Sequence, residues 1–482
     1  MASPWRAAAP WRAASPPLAL RRHRQYCSAA HQAELLDELE SIPPERTRNF
    51  CIVAHVDHGK STLSDRLMEL TGAVPKGKSH AQLLDNLEVE RERGITIKAQ
   101  TVSLLHRDEA SGELYLLNLI DTPGHVDFSY EVSRSIAACQ GALLLVDATK
   151  GVQAQTVANF YLAFEQELAI VPTVNKIDLP HADVSGALAQ MADAFDLPVD
   201  DALHISAKTG HGCDALLPAI VTRVPPPVAS ADRPLRLLLF DSWCADLSPG
   251  RHRHHQPVGH LLTIHLGPST HHPPGPTHSP AGWAVRCSPA AWAPCVSRYG
   301  RYDDFLGVLC LVEVLDGVLT MGCEVRSAAT DKTFLVQSIS LMRPLGPHAL
   351  ERLGPGQVGC VSLGMKAIHE ASVGDTLFSP KQPVDALPGF RRPRPMVFAG
   401  LFPSDETGFE ELQHAMGRFQ LKDGSVSVEP EHSRSLGRGL RCGFLGMLHM
   451  EVRAMAARTP PPISLNLSQP PHDLPIISRD LA

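Results

Sequence analysis

Lys60 and Ser61 follow a glycine in Ala54-His55-Val56-Asp57-His58-Gly59-Lys60-Ser61, and Thr62 continues into an amphipathic run. An apolar segment, Phe50 to Ala54, leads into this string. A strand turning into a helix at such a loop aims successive backbone N–H groups at a phosphate, with the helix dipole behind them. Lys60 adds a positive charge suited to β- and γ-phosphates, and Ser61 a hydroxyl suited to a magnesium ion. Ala54 stands where the phosphate-loop pattern has its first glycine.

Four further strings follow in order: Gly94-Ile95-Thr96, Asp121-Thr122-Pro123-Gly124-His125, Asn175-Lys176-Ile177-Asp178 and Ser206-Ala207-Lys208. Asp121 ends an apolar run, where a carboxylate can reach a magnesium ion through water. Gly124 lacks a side chain, so its N–H can approach a γ-phosphate. Thr96 alone reads as an ordinary β-branched strand residue. Behind the charged run Glu90-Arg91-Glu92-Arg93 it reads as a switch residue that closes on the metal when a third phosphate is present. His125 is placed to orient water toward that phosphate; the alternative is a surface histidine after a turn. Asp178 can accept from N1–H and N2–H₂ of guanine, which adenine cannot supply, and Ser206 to Lys208 would offer a backbone N–H to the guanine O6. The ligand expected is therefore GTP or GDP with Mg²⁺.

These groups need a scaffold. Residues 46 to 226 alternate short apolar runs with amphipathic ones, a pattern that predicts α/β architecture with a largely parallel sheet. Asn49–Ala54, Leu114–Ile120, Ala142–Asp147, Ala169–Asn175 and Ala202–Ile205 read as its strands, with the chemistry at their C-terminal ends. Pro225-Pro226-Pro227 reads as a stiff linker. A small β-barrel is expected over 232–380, and a partial α+β (ferredoxin-like) unit over 395–453. The latter would comprise strands Met396–Leu401 and Ser425–Glu429, a helix Phe409–Gln420, and a glycine-rich approach to a second helix. The fold class is thus multidomain α/β plus β.

Composition bounds the rest. The 482 residues are 44% hydrophobic, with eleven cysteines but no CxxC pair, which argues against a disulfide framework or a zinc ribbon. No apolar run reaches the roughly 18 residues of a membrane span. Residues 1–45 read as transit peptide and leader: Arg6, Arg12, Arg21, Arg22 and Arg24 occur before any acidic residue. Cleavage near Tyr26 to Ser28 would take the formal charge from −7 to about −12, so contact with RNA would depend on local basic faces. Segment 244–298 holds nine prolines and eight of the 24 histidines and is expected to be a disordered insertion in the barrel; 454–482 is expected to be a disordered, divergent tail.

Gly94–Gln100, Asp121–Arg134, Gly151–Tyr161 and Arg441–Glu451 together resemble the elongation factor 4 (LepA) family of translational GTPases, in its mitochondrial form. The likeness covers about 46–243 and 299–453. It implies a ribosome-stimulated GTPase with His125 as catalytic residue, which binds mitochondrial ribosomes and promotes fidelity by moving wrongly translocated tRNAs back one codon. It implies indirect contact with tRNA, a matrix-side position peripheral to the inner membrane, and a monomer. It further implies that Val56 and Ile95 flank His125 as an apolar gate, and that Asp57 helps hold a monovalent cation. Two departures stand out: 244–298 looks like translated intron or a gene-model error, and the family's remaining C-terminal domains are replaced after Arg453. The alternatives are an isoform that binds GTP without moving tRNA, and a product whose barrel fails to close.

Overall fold

The computed structural model describes residues 38–39, 42–75, 83–85, 88–244, 308–365, 370–390, 394–403, 409–422, 425–433 and 437–456. Most of the expected transit peptide and leader (1–45), nearly all of the 244–298 segment, and most of the expected tail (454–482) lie outside them.

The first layer is a six-stranded sheet of β1 (Thr47–Ala54), β2 (Gln100–Arg107), β3 (Leu114–Asp121), β4 (Gly141–Asp147), β5 (Ala169–Asn175) and β6 (Leu203–His204). Its order is β2-β3-β1-β4-β5-β6, and all pairings are parallel except β2 with β3. All eight β1 residues are buried, as expected for a strand covered on both faces. Helices α1 (Lys60–Leu70), α2 (Glu88–Arg93), α3 (Ser129–Ile136), α4 (Ala154–Glu165), α5 (Val184–Phe195) and α6 (Leu216–Arg223) follow in chain order. Leu63, Leu67 and Ile220 enter one core beside Phe50 and Leu119; Val132, Phe160 and Met191 enter a second beside Val53 and Val146.

The sequence reading had no strand at β2, which pairs antiparallel to β3 from Gln100↔Asp121 to Arg107↔Leu114. Val102 and Leu104 enter the first core while Leu105 enters the next domain's core. With both faces covered, polar and apolar residues do not alternate cleanly along this strand.

The second unit is built from β7 (Arg236–Cys244), β8 (Val308–Asp316), β9 (Leu319–Thr320), β10 (Glu324–Ser327), β11 (Thr333–Leu335), β12 (Ser338–Arg343), β13 (Gly346–Leu350), β14 (Arg352–Leu353), β15 (Val358–Ser362) and β16 (Thr376–Phe378). Eight of them pair in the order β11-β10-β16-β7-β8-β15-β12-β13, and β9 pairs with β14. Cys244 pairs with Val308 at the end of the β7–β8 ladder, so the expected insertion starts after Cys244. Leu39 and Ile42 pack into this unit's core, and Arg107 pairs with Glu38, so the residues just before 46 belong to the packed structure rather than to a detached leader. The third unit is a sheet β17-β19-β18, with β17 at Val397–Leu401, β18 at Ser427–Ser433 and β19 at Gly437–Phe444, plus α7 (Phe409–Lys422) and α8 (Met447–Ala456). Strand β19 stands where only a glycine-rich approach to a helix was expected.

A buried polar chain joins the first two units. Ser103 Oγ donates to Asn118, Asn118 Nδ2 to Asn49 Oδ1, and Asn49 Nδ2 to Glu313 Oε1 on β8 at 3.3 Å. Gln140 Nε2 donates to the same Glu313 oxygen at 3.1 Å. Burial pushes the Glu313 carboxyl up to about 7, against the lowering effect of those two donors. The folded state therefore holds a proton that the unfolded chain releases near pH 4.5. Its stabilising contribution is full below that pH and is lost as pH rises to about 7, by an amount on the order of 3 kcal/mol. Glu313→Gln is expected to flatten stability between pH 5 and 8 and to raise it at pH 8, as urea unfolding at each pH would measure.

Candidate functional site

Where β1 ends, the chain turns through Asp57 and Gly59, both at positive φ (65° and 94°), into α1. A Cβ on Gly59 would lie 2.5 Å from Asn175 Nδ2, so the turn admits glycine alone on steric as well as backbone grounds. Beside it opens a cavity of about 360 Å³ lined by His55, Val56, Asp57, Gly59, Lys60, Ser61, Thr62, Gly94, Ile95, Thr96, Gly124 and Lys176. Four of the five predicted strings thus meet on one cavity. The fifth joins through Asn175, which is buried. Its Nδ2 donates to the His58 carbonyl at 2.9 Å and its Oδ1 accepts from the Ala207 N–H at 3.0 Å.

Lys60 Nζ lies 2.8 Å from Asp121 Oδ2 and 2.7 Å from Thr96 Oγ1, and the Thr96 hydroxyl donates to Asp85 at 3.0 Å. Asp121 is fully buried at the end of β3. Burial raises its pKa, while the Lys60 ammonium opposes that rise. Ser64, one turn into α1, donates to the other Asp121 oxygen at 3.2 Å. Thr96 and the β3 carboxylate are therefore both held on one ammonium group. The histidines of the phosphate loop add no charge at neutral pH: burial lowers His58 to about 4, and burial followed by Lys150 lowers His55.

Around the base-side strings, Lys176 has φ 64° and its Nζ bridges the Asp57 carbonyl and Asp147 Oδ2, the latter at 2.8 Å. Burial raises Asp147, but bonds from Lys176 and Thr149 outweigh it and leave the carboxyl below its usual range. Asp178 is exposed and Ile177 N–H donates to the Ile205 carbonyl. Of the Ser206 to Lys208 backbone, the Ala207 N–H donates to Asn175 Oδ1. Ser206 is buried, and its Oγ accepts from Thr209 N–H at 3.1 Å. Arg66 of α1 donates to the carbonyls of Ala207 and Lys208 at 3.0 and 2.9 Å, tying that loop to the phosphate side.

His125 stands next to lining residue Gly124 and outside the cavity wall. Its Nδ1 accepts the Asp127 N–H at 3.1 Å, and Phe128 N–H donates to its carbonyl at 3.0 Å. Thr122 Oγ1 donates to the Ile52 carbonyl at 3.1 Å, and Pro123 is buried. The sequence reading missed several supports. Glu90 Oε1 accepts the N–H groups of Ile97 and Lys98, Asp85 holds Thr96, and Asn159 on α4 donates to the Gly124 carbonyl at 3.3 Å. Only the charged run containing Glu90 gave any local sign of such a role. Among the described residues no group of His, Cys, Asp and Glu could by itself hold a metal ion, and no helix is long and apolar enough to cross a membrane.

Residues 45–226 match the elongation factor Tu GTP binding domain. The chain is 47% identical over 425 residues to "Translation factor GUF1 homolog, mitochondrial" of Oryza sativa subsp. indica, covering 86% of this chain and 56% of the relative. It is 45% identical to "Translation factor GUF1, mitochondrial" of Homo sapiens over 429 residues, 89% of this chain and 55% of the relative. The Bos taurus protein of that name is 45% identical over 425 residues, 88% and 54% of the two chains. The chain thus spans about half the length of the curated relatives it matches. A crystal structure of a Thermus thermophilus protein shares the fold at TM-score 0.59 and 18% identity, covering 88% of this chain and 67% of that one. Residues 45–226 thus match an elongation factor Tu GTP binding domain, and along most of its length the chain is similar to mitochondrial translation factors, as the resemblance to the elongation factor 4 (LepA) family implied.

Proposed function

We propose that this chain hydrolyses GTP to GDP and phosphate in a ribosome-stimulated manner during mitochondrial translation. The observation that carries the reading is the convergence of Lys60, Ser61, Thr96 and Gly124 on one cavity, with Asn175 linking that cavity to the Ser206–Lys208 loop. In the reaction, a water oxygen bonds to the γ-phosphorus as the bond to the β–γ bridging oxygen breaks. Lys60 and the loop N–H groups stabilise the charge that gathers on the phosphate oxygens. Ser61, Thr96 and Asp121 offer only oxygen donors, a set that suits Mg²⁺ and would hold it on the phosphates. When bound, that ion neutralises phosphate charge. His125 orients the water, with Val56 and Ile95 beside it as apolar wall.

The names of the relatives support placement in the mitochondrion and action on its ribosomes. One-codon backward movement of tRNA, peripheral attachment to the inner membrane, a monomeric state and a monovalent cation at Asp57 rest on the family resemblance. The domain limits given above for 46–226, 232–380 and 395–453 belong to the same proposal.

Phosphate release from GTP and from ATP, with and without mitochondrial ribosomes, tests the reading. Release from GTP alone, accelerated by ribosomes, is expected; equal use of ATP would sink the guanine assignment, and no acceleration would sink the ribosomal one. Asp178 is assigned to the guanine N1–H and N2–H₂ edge, so Asp178→Asn is expected to shift preference toward xanthosine nucleotides by about 100-fold or more in competition binding.

A further inference from the structure

Helix α8 of the third unit lies against both loops that flank the nucleotide cavity. Its second residue, Leu448, donates its N–H to Asp127 Oδ2 at 2.9 Å. Leu448 also packs with Ile95, Ile97 and Phe128, a small apolar cluster made from both loops. The Phe128 ring meets His449 edge-on at 5.8 Å and His125 at 6.4 Å, and Arg93 pairs with Glu451 at 3.0 Å. Gly446, just before the helix, is buried, and a Cβ built on it would overlap the Asp127 carboxyl. The two residues held most closely by α8, Asp127 and Phe128, are the ones whose N–H groups bond to His125.

We propose that Asp127 is a positioning residue through which α8 sets the orientation and tautomer of His125. This rests on the hydrolytic reading given above. The Asp127 carboxylate caps the first turn of α8, satisfying an N–H that has no partner within the helix. That cap fixes the backbone of residue 127, whose own N–H points at His125 Nδ1. A ring nitrogen that accepts a hydrogen bond carries no proton, so the neutral His125 ring bears its proton on Nε2 and meets its partner as a donor. In this arrangement the ring orients water by donating to it and does not take the water's proton. When α8 lifts away, the cap and the apolar cluster part together, and His125 loses the brace on its far side. Docking of the third unit is thereby coupled to the hydrolytic step, with no contact between that unit and the nucleotide required.

The test compares Asp127→Ala, Asp127→Asn, Gly446→Ala and His125→Ala in the full chain. Each is measured for GDP affinity, thermal melting and ribosome-stimulated kcat. Whereas Gly446→Ala disturbs the cap alone, Asp127→Ala removes it together with the carboxylate oxygen 3.6 Å from His125 Nδ1, but keeps the residue 127 N–H. It is expected to bind GDP and ribosomes like the unmodified protein and to lose about 10- to 100-fold in kcat, the scale of a misplaced catalytic group. Asp127→Asn keeps an acceptor oxygen and is expected to restore most of the rate. Gly446→Ala reaches the same contact from the helix side and should match Asp127→Ala; it serves as the primary variant if Asp127→Ala does not fold. An unimpaired Asp127→Ala beside a slow His125→Ala overturns the coupling alone. Equal loss in Asp127→Ala and Asp127→Asn overturns the cap. An unimpaired His125→Ala instead overturns the hydrolytic reading on which the coupling stands.

Discussion

Lys60→Ala is expected to reduce GDP and GTP affinity by at least about 100-fold. Two losses combine. The phosphates lose their only buried ammonium among the described cavity-lining residues, and Asp121 loses the partner 2.8 Å away that opposes the effect of burial on its carboxyl. Breaking a buried pair by removing one member costs roughly 3–5 kcal/mol because the remaining charge stays buried. Part of that cost falls on the ligand-free protein. Asp121 is then expected to take up a proton at higher pH than in the unmodified chain, and what residual GDP binding survives should depend on pH. Fluorescent GDP titration across pH 6 to 8 measures both. Affinity within threefold of the unmodified protein would reject the phosphate-loop assignment.

His125→Ala is expected to act differently. The cavity wall includes Gly124 and leaves His125 outside, so GTP affinity should stay within about twofold. The ribosome-stimulated rate should fall by roughly 10²- to 10⁴-fold, the usual contribution of a group that manages a proton or a water in the transition state. An intact Kd beside a lost kcat would separate a residue that acts on the ligand from one that holds it. Single-turnover hydrolysis on ribosomes, paired with equilibrium nucleotide binding, gives both numbers. An unchanged rate would remove His125 from the chemistry.

The gathering of Lys60 and Ser61 on one cavity was legible from sequence because the phosphate-loop pattern sets particular side chains a fixed number of residues apart within one loop. Lys60 and Ser61 are adjacent to the glycine that makes their turn, so local spacing alone places them. The supports for that loop are distant in sequence and could not be read. Asp85 and Asn159 act through tertiary contacts, and nothing in their neighbourhoods distinguishes them from ordinary polar residues, while Glu90 was marked only by its charged run. Strand β2 escaped notice because Leu104 and Leu105 are consecutive apolar residues serving opposite cores. Strand β19 escaped because Gly437, Gly439 and Gly443 fall within eight residues, a composition that ordinarily argues against a strand. The Asn175–Ala207 bond, which fixes the loop carrying Ser206 to Lys208, is another tertiary contact with no local sign in the sequence.

Cys244 and Val308 are opposite partners at the end of the same ladder, so the chain departs from β7 and re-enters at β8 within one rung. Seen from the sheet, what lies between them is a detour that begins and finishes at a single doorway. The entropy of joining two such points grows only with the logarithm of the path length, so a doubled detour costs about 0.6 kcal/mol. This doorway is therefore a natural port for cargo. A short turn, a reporter protein or an affinity handle spliced there should leave the neighbouring strands in register.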